Sequence, residues 1–247
     1  WDCYGRTKQM PLWKIWKGQN KNLPVYGSGC YKGLGHDGMI EKAQKYVKMG
    51  FSSIKMQMAH CFKNDEDVAN IKEMRATLGD DIGIMIDVNQ GWSVDEAIKV
   101  SKKIEHYNPE WLEEPVMADD FDGYEKICKS TSIPIVTGEN NFTHNDLLPL
   151  MKNKKIRILQ PDIMRGGYTN LIYTSHLANQ YGIKIAPHMF PELSIHIVAS
   201  IENPSWLEYM GWYDHLWKEP LIPVNGTLKP TNRPGHGMDF KKEIYTL

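Results

Sequence analysis

The sequence predicts an α/β protein, a TIM-type barrel of (β/α)7β or (β/α)8 form. Short apolar runs alternate with helical patterns from Leu23 to Met210, which is the signature of a parallel sheet. Five runs end in a carboxylate or an imidazole: I-M-I-D at Asp87, W-L-E at Glu113, I-P-I-V-T-G-E at Glu139, I-R-I-L-Q-P-D at Asp162 and I-K-I-A-P-H at His188. These groups are 26, 26, 23 and 26 residues apart, close to the roughly 30 residues of a βα unit. Each therefore falls at the same phase of successive units, and closure would gather them at one mouth.

Residues 1–20 carry Trp1, Tyr4, Trp13 and Trp16 and read as a short helix and an extended arm packing on the barrel or on another domain. Leu23 to Ser28 is the first strand. Residues 37–49 have helical spacing with Gly50 as the stop. Ser53 to Met58 is the second strand and Glu66 to Leu78 its helix. Ile84 to Val88 is the third, followed by a helix from Val94 to His106 with Ser93 as N-cap. The later helices are read at Asp119–Lys129, Asn145–Lys152, Tyr168–Tyr181 and Glu192–Ile201, with Trp206–Met210 as the eighth strand. The barrel thus runs over residues 21–216. Residues 217–247 hold four prolines and an Asn225-Gly226 turn, and read as a hairpin and tail.

The 247 residues match the roughly 250 of such a barrel. No apolar run reaches the ~20 residues of a membrane span. A net charge of −1 gives no footprint for nucleic acid or an anionic membrane. Cys3, Cys30, Cys61 and Cys128 are scattered, which excludes a CxxC site and predicts a reducing, cytoplasmic setting. No signal peptide is visible, and the start at Trp1 rather than Met predicts a longer protein upstream.

Asp87, Glu113 and Glu139 are the candidate metal ligands. One strand-end acid would ordinarily cap a helix or pair with a lysine. Three in phase repel one another and call for a cation, and hard oxygen donors select Mg2+. Glu114 should point away from the mouth into a salt bridge in the wall. Asn89 shares the face of Asp87, because strand side chains alternate, and is placed as a substrate contact. Asp162 beside His188 would fix the imidazole's tautomer and raise its basicity, which suits a general base. Lys55 and Gln57 share one face of the second strand; Lys55 would serve as a base or as a fixed charge on a developing anion. Glu208 is a candidate acid or substrate ligand, with a rim ion pair as the alternative. The other histidines, His36 and His215 among them, read as surface or packing.

These motifs in order, K-M-Q, D-V-N-Q, W-L-E-E-P, T-G-E-N, Q-P-D-I-M-R-G-G, A-P-H-M-F-P-E and W-L-E, resemble the barrel domain of the enolase superfamily, mandelate racemase group, almost end to end. The resemblance implies Mg2+ on Asp87, Glu113 and Glu139, a catalytic dyad of Asp162 and His188, and Glu208 on the substrate carboxylate. It also implies an N-terminal α+β capping domain, of which residues 1–20 would be the end and linker, and a homo-oligomer of two to eight chains. The barrel without its cap is expected to be a poor catalyst.

One departure shapes the expected chemistry. The family's second-strand motif is usually K-x-K, and Gln57 stands where the second lysine would be. A racemase needs a base on each face of its substrate. A single base, His188, fits dehydration of an acid sugar, an aldonate or aldarate, to a 2-keto-3-deoxy acid, with Gln57 on a substrate hydroxyl. The competing readings are a racemase or epimerase that uses Lys55 as second base, and a non-catalytic scaffold.

Overall fold

Burial sorts the strand residues into two sets, one facing the helices and one facing inward. The structure, a computed structural model, describes residues 1–59 and 64–246; Cys61 lies outside them. Eight strands form the parallel sheet: β1 (Leu23–Cys30), β2 (Ser53–Gln57), β3 (Gly83–Asp87), β4 (Trp111–Glu113), β5 (Ile135–Thr137), β6 (Ile158–Leu159), β7 (Lys184–Ile185) and β8 (Leu207–Tyr209). Their spatial order is β7-β6-β5-β4-β3-β2-β1-β8. The curl closes where the Ile185 N–H donates to the Asn203 carbonyl at 2.9 Å and the Ser205 N–H to the Ile185 carbonyl at 2.8 Å.

Two short helices, α1 (Asp2–Thr7) and α2 (Leu12–Ile15), precede the sheet, and one helix follows each of β1 to β7. These are α3 (Gly35–Lys48), α4 (Asn64–Leu78), α5 (Val94–Ile104), α6 (Phe121–Ser130), α7 (His144–Lys152), α8 (Ile163–Gln180) and α9 (Pro191–Val198). No α-helix follows β8 among the described residues, so the barrel is of the (β/α)7β form.

Outward-facing Ile54, Ile86, Leu112, Ile135, Ile185 and Leu207 pack with helix residues such as Met39, Ala97, Ile127 and Leu147 in the main core. Inward-facing Tyr26, Met85, Trp111 and Val136 form a second, smaller core within the barrel. Tyr26 and Trp111 meet edge to face at 5.3 Å, a favoured aromatic geometry. One alternation further along their strands, Met85 gives way to Asp87 and Trp111 to Glu113, so the inner core is the floor of the polar mouth. Truncating the fully buried Trp111 to alanine would remove that floor and cost about 3–5 kcal/mol.

Local chemistry starts the helices as the sequence suggests. Ser93 and Glu96 form a reciprocal capping box on α5, and Thr143 and Asp146 another on α7. Three expectations change. The N-terminal segment folds as two short helices, α1 and α2, and not as a helix and extended arm. Helix α8 starts at Ile163, not Tyr168, because Asp162 caps it and Gly167, at φ 69°, takes up a kink inside it. In the tail, Asn225 and Gly226 make the expected turn under a Val224–Thr227 bridge, but β9 (Thr227–Leu228) goes on to pair antiparallel with Leu23 and Pro24 of β1.

Candidate active site

Parallel register sets the site. Gln57, Asp87 and Glu113 are successive partners across β2, β3 and β4, so these three side chains leave the sheet at one level. Gly138, at φ 130°, turns the chain after β5, in a conformation and space closed to a side chain: a Cβ there would lie 3.0 Å from the Gln160 nitrogen. Glu139 follows it, 8% exposed. Asp162 and His188 are paired by a parallel bridge beyond β6 and β7.

Lys55 is the charged centre. Its Nζ lies 2.7 Å from Glu113 Oε1, 2.9 Å from Glu208 Oε1 and 3.6 Å from Asp87 Oδ2, and over the Tyr26 ring at 5.6 Å. Burial opposes its charge, but Glu113 and Glu208 outweigh burial and hold its pKa well above the usual lysine value. The surrounding carboxylates thus favour the charged form of Lys55. Glu208 is fully buried; burial opposes its ionisation, yet Lys55, His188 and the Met189 N–H at 2.8 Å bring it down to about 2. Burial lifts Glu113 to about 8, partly offset by Lys55 and reinforced by Asp87 and Glu208.

His188 Nδ1 lies 2.7 Å from Asp162 Oδ2, so Nδ1 carries a proton and donates it in a hydrogen bond to the carboxylate. Its Nε2 faces Glu139 Oε2 at 3.2 Å. Burial lowers the imidazole pKa, but Asp162, Glu208 and Glu139 raise it to about 9. Asp162 also accepts the Met164 N–H at 2.6 Å, so the helix cap and the histidine share one carboxylate. Lys55, Gln57, Asp87, Asn89 and His188 line one cavity of about 200 Å3, together with Ser28, Tyr31, Met210 and Trp212.

The donor set suits a hard divalent cation. Burial and the neighbouring carboxylates raise Glu113 to about 8 and Glu139 to about 7, against the opposing pull of Lys55 and His188, so the carboxyl groups crowd one another beyond what these two cations offset. Glu139 Oε2 is buried with no partner but the 3.2 Å ion-pair contact to His188 Nε2. Among the described residues, no three His, Cys, Asp or Glu side chains converge closely enough to enclose an ion: Glu113 is turned to Lys55, and Glu139 to His188. Cation uptake would require those contacts to loosen.

Asn89 and Glu114 depart from expectation. Asn89 lies past the strand at φ 48°, so alternation does not explain its place. It lines the cavity, and both its backbone and side-chain N–H groups bind Asp87 at 2.9 Å. Glu114 makes no ion pair among the described residues. It is fully buried at φ 42° and accepts from the amides of Asn140 and Gln90. Sequence reading also missed Ser28, which lines the cavity, and the Trp111 indole, which donates to Glu113 at 3.1 Å. Both sit two residues from a residue already on the inward face, which was the available signal.

Residues 38–244 match the family described as enolase C-terminal domain-like. The chain belongs to that family. Over 98% of its length it is 30% identical to the 3,6-anhydro-alpha-L-galactonate cycloisomerase of Streptomyces coelicolor, covering 68% of that protein. A racemase from Streptomyces coelicolor, solved with bound magnesium, superposes with a TM-score of 0.93 at 29% identity, over 99% of this chain and 68% of that one. The L-talarate dehydratase of a Polaromonas species, solved with Mg and L-glucarate, gives 0.91 at 26% identity, over 100% of this chain and 69% of that one. The chain thus spans about two-thirds of these relatives' length. As an enolase-superfamily chain it carries a parallel eight-stranded barrel with its polar residues at the strand ends. No helix among the described residues is long and apolar enough to cross a membrane.

Proposed function

We propose that this chain is the catalytic barrel of a Mg2+-dependent acid-sugar dehydratase, acting on an aldonate or aldarate. The observation that carries the reading is the His188–Asp162 pair at 2.7 Å, whose His188 lines the same cavity as Lys55 and Gln57. Asp87, Glu113 and Glu139 would hold the metal. A bound Mg2+ would act as a Lewis acid on the substrate carboxylate, stabilising charge that develops when the α-proton leaves.

The chain's own groups do the rest. His188 acts as base only in its neutral form, which the carboxylates around it disfavour; in that form Nε2 takes the α-proton, and the electron pair moves into the substrate carboxylate. The Lys55 ammonium adds fixed positive charge near that carboxylate, and Glu208 and Asn89 orient the substrate or its neighbours. Return of the electron pair expels the β-hydroxyl, which takes the proton from His188 and leaves as water. The enol that remains becomes a 2-keto-3-deoxy acid. Asp162 keeps the imidazole in the tautomer that presents Nε2.

A cycloisomerase is the second reading, favoured by the 30% identity to the Streptomyces coelicolor protein. Product mass separates them: dehydration removes one water and isomerisation removes nothing. Incubating the whole protein with acid sugars and Mg2+ should give a product lighter by one water, and His188→Asn should abolish exchange of the α-proton with deuterated water. Unchanged exchange in that variant would refute His188 as the base.

A further inference from the structure

Glu114 sits where a strand would aim its side chain away from the mouth, yet a left-handed backbone turns it into the loops around the candidate metal ligands. Non-glycine residues adopt that conformation only when their surroundings impose it, and they cluster at functional sites. Both Glu114 oxygens accept from Asn140 Nδ2, at 3.0 and 2.8 Å, and Oε2 also accepts from Gln90 Nε2 at 3.3 Å. A carboxylate can only accept, so it dictates which way both amides face. The Asn140 carbonyl oxygen is thereby left for the Arg165 guanidinium, and the Gln90 carbonyl oxygen for the Ala118 N–H at 3.0 Å. The same Asn140 Nδ2 lies 3.3 Å from Glu139 Oε1. The Gln90 N–H binds the Glu114 carbonyl at 2.7 Å, which ties the loop after β3 to the end of β4. One buried carboxylate thus joins the loops that follow Asp87, Glu113 and Glu139.

We infer that Glu114 is a positioning residue for Glu139, acting through Asn140, and that it sets the metal affinity of the site. This rests on the reading that Glu139 is a metal ligand. Groups that orient a metal ligand typically cost 10–100-fold in affinity when lost. The alternative is that Glu114 matters only as one more negative charge near the cation.

A double-mutant cycle in the whole protein decides, with Mg2+ titrated calorimetrically into wild type, Glu114→Gln, Asn140→Ala and the double variant. Glu114→Gln should weaken Mg2+ binding about 10–100-fold, with the metal-free melting temperature unchanged or raised, since a buried charge beside other carboxylates is gone. Asn140→Ala, which keeps the Glu114 charge, should weaken binding comparably. The double variant should be no worse than the more affected single one, because both cut the same link. Unchanged affinity in Asn140→Ala, or losses that multiply in the double variant, would overturn the inference in favour of a through-space charge effect. A fall in metal-free stability that parallels the affinity loss would overturn it in favour of a merely structural hub. If the wild type takes up no Mg2+, the metal assignment fails and the inference fails with it, an outcome visible before any variant is compared.

Discussion

Lys55 Nζ lies 2.7 Å from Glu113 Oε1, and both side chains are buried, at 3% and 0% exposure. A buried charge left without its partner costs about 3–5 kcal/mol. Here the lysine also serves Glu208 at 2.9 Å and Asp87 at 3.6 Å. Lys55→Met should therefore destabilise the metal-free protein by about that amount, and Mg2+ should restore part of it by supplying another cation among the carboxylates. Urea unfolding with and without Mg2+ measures both. A metal-free midpoint equal to wild type would show that the ammonium does not hold the acids together.

Glu113 should matter most for the metal. In Glu113→Gln one of three candidate oxygen ligands becomes a poor donor, and Mg2+ affinity should fall by at least about 100-fold, the upper end of what orienting groups alone contribute. The metal-free protein should also lose stability, because Lys55 donates to Oε1 at 2.7 Å and the Trp111 indole to Oε2 at 3.1 Å, and an amide offers one oxygen, so its NH2 faces one of the two donors. Calorimetric titration at neutral pH reads the affinity; an unchanged value removes Glu113 from the ligand set.

His196 links the two ends of the chain. Its Nδ1 accepts the Trp13 N–H at 3.3 Å and its Nε2 donates to the His236 carbonyl at 3.0 Å, so it carries one proton, on Nε2. Burial lowers its pKa to about 4. The unfolded chain, with a histidine near pKa 6.5, then binds more protons than the folded one below that value, so stability falls as pH falls from 6.5 towards 4. Between pH 7 and pH 5 the loss from this residue is about 2 kcal/mol. Denaturant unfolding at both pH values should show that increment in wild type and not in His196→Gln; equal slopes would mean that His196 does not titrate across the transition.

How far the site was legible follows from what fixes each position. Asp87, Glu113, Glu139, Asp162 and His188 were placed by the length of the βα unit, a property carried by the chain itself. The dyad bridge and the Lys55 cluster then follow from parallel register. Period-two reasoning failed where the backbone leaves the strand. Asn89 and Glu114 both have positive φ, at 48° and 42°, and only the tertiary contacts of the loops impose that. The helix expected from Tyr168 left out the first turn of α8, which lies before the kink at Gly167, although Asp162 in front of it is an N-cap residue type. Residues 1–20 gave aromatic content without register, so the Trp1–Trp16 and Trp16–Tyr168 contacts, at 5.2 and 5.4 Å, could not be read.

The stereochemical outcome depends on Gln57. An amide cannot take a proton from carbon at neutral pH, because its conjugate acid is far too strong. Gln57 on β2 and His188 beyond β7 line the same cavity, and β1 and β8 separate their strands on the shorter way round. The two residues therefore approach a substrate from different sides. Lys55, two residues before Gln57, is held by three carboxylates and kept charged, so it offers no second base. A pair of acid sugars epimeric at carbon 2, incubated with the whole protein and Mg2+ in deuterated water, should thus behave differently. The epimer whose α-proton faces His188 should lose water and give the 2-keto-3-deoxy product. The other should bind without exchange. Interconversion of the two epimers without water loss would require a proton acceptor on the β2 side, would identify it as Lys55 released from Glu113 and Glu208, and would make the enzyme an epimerase.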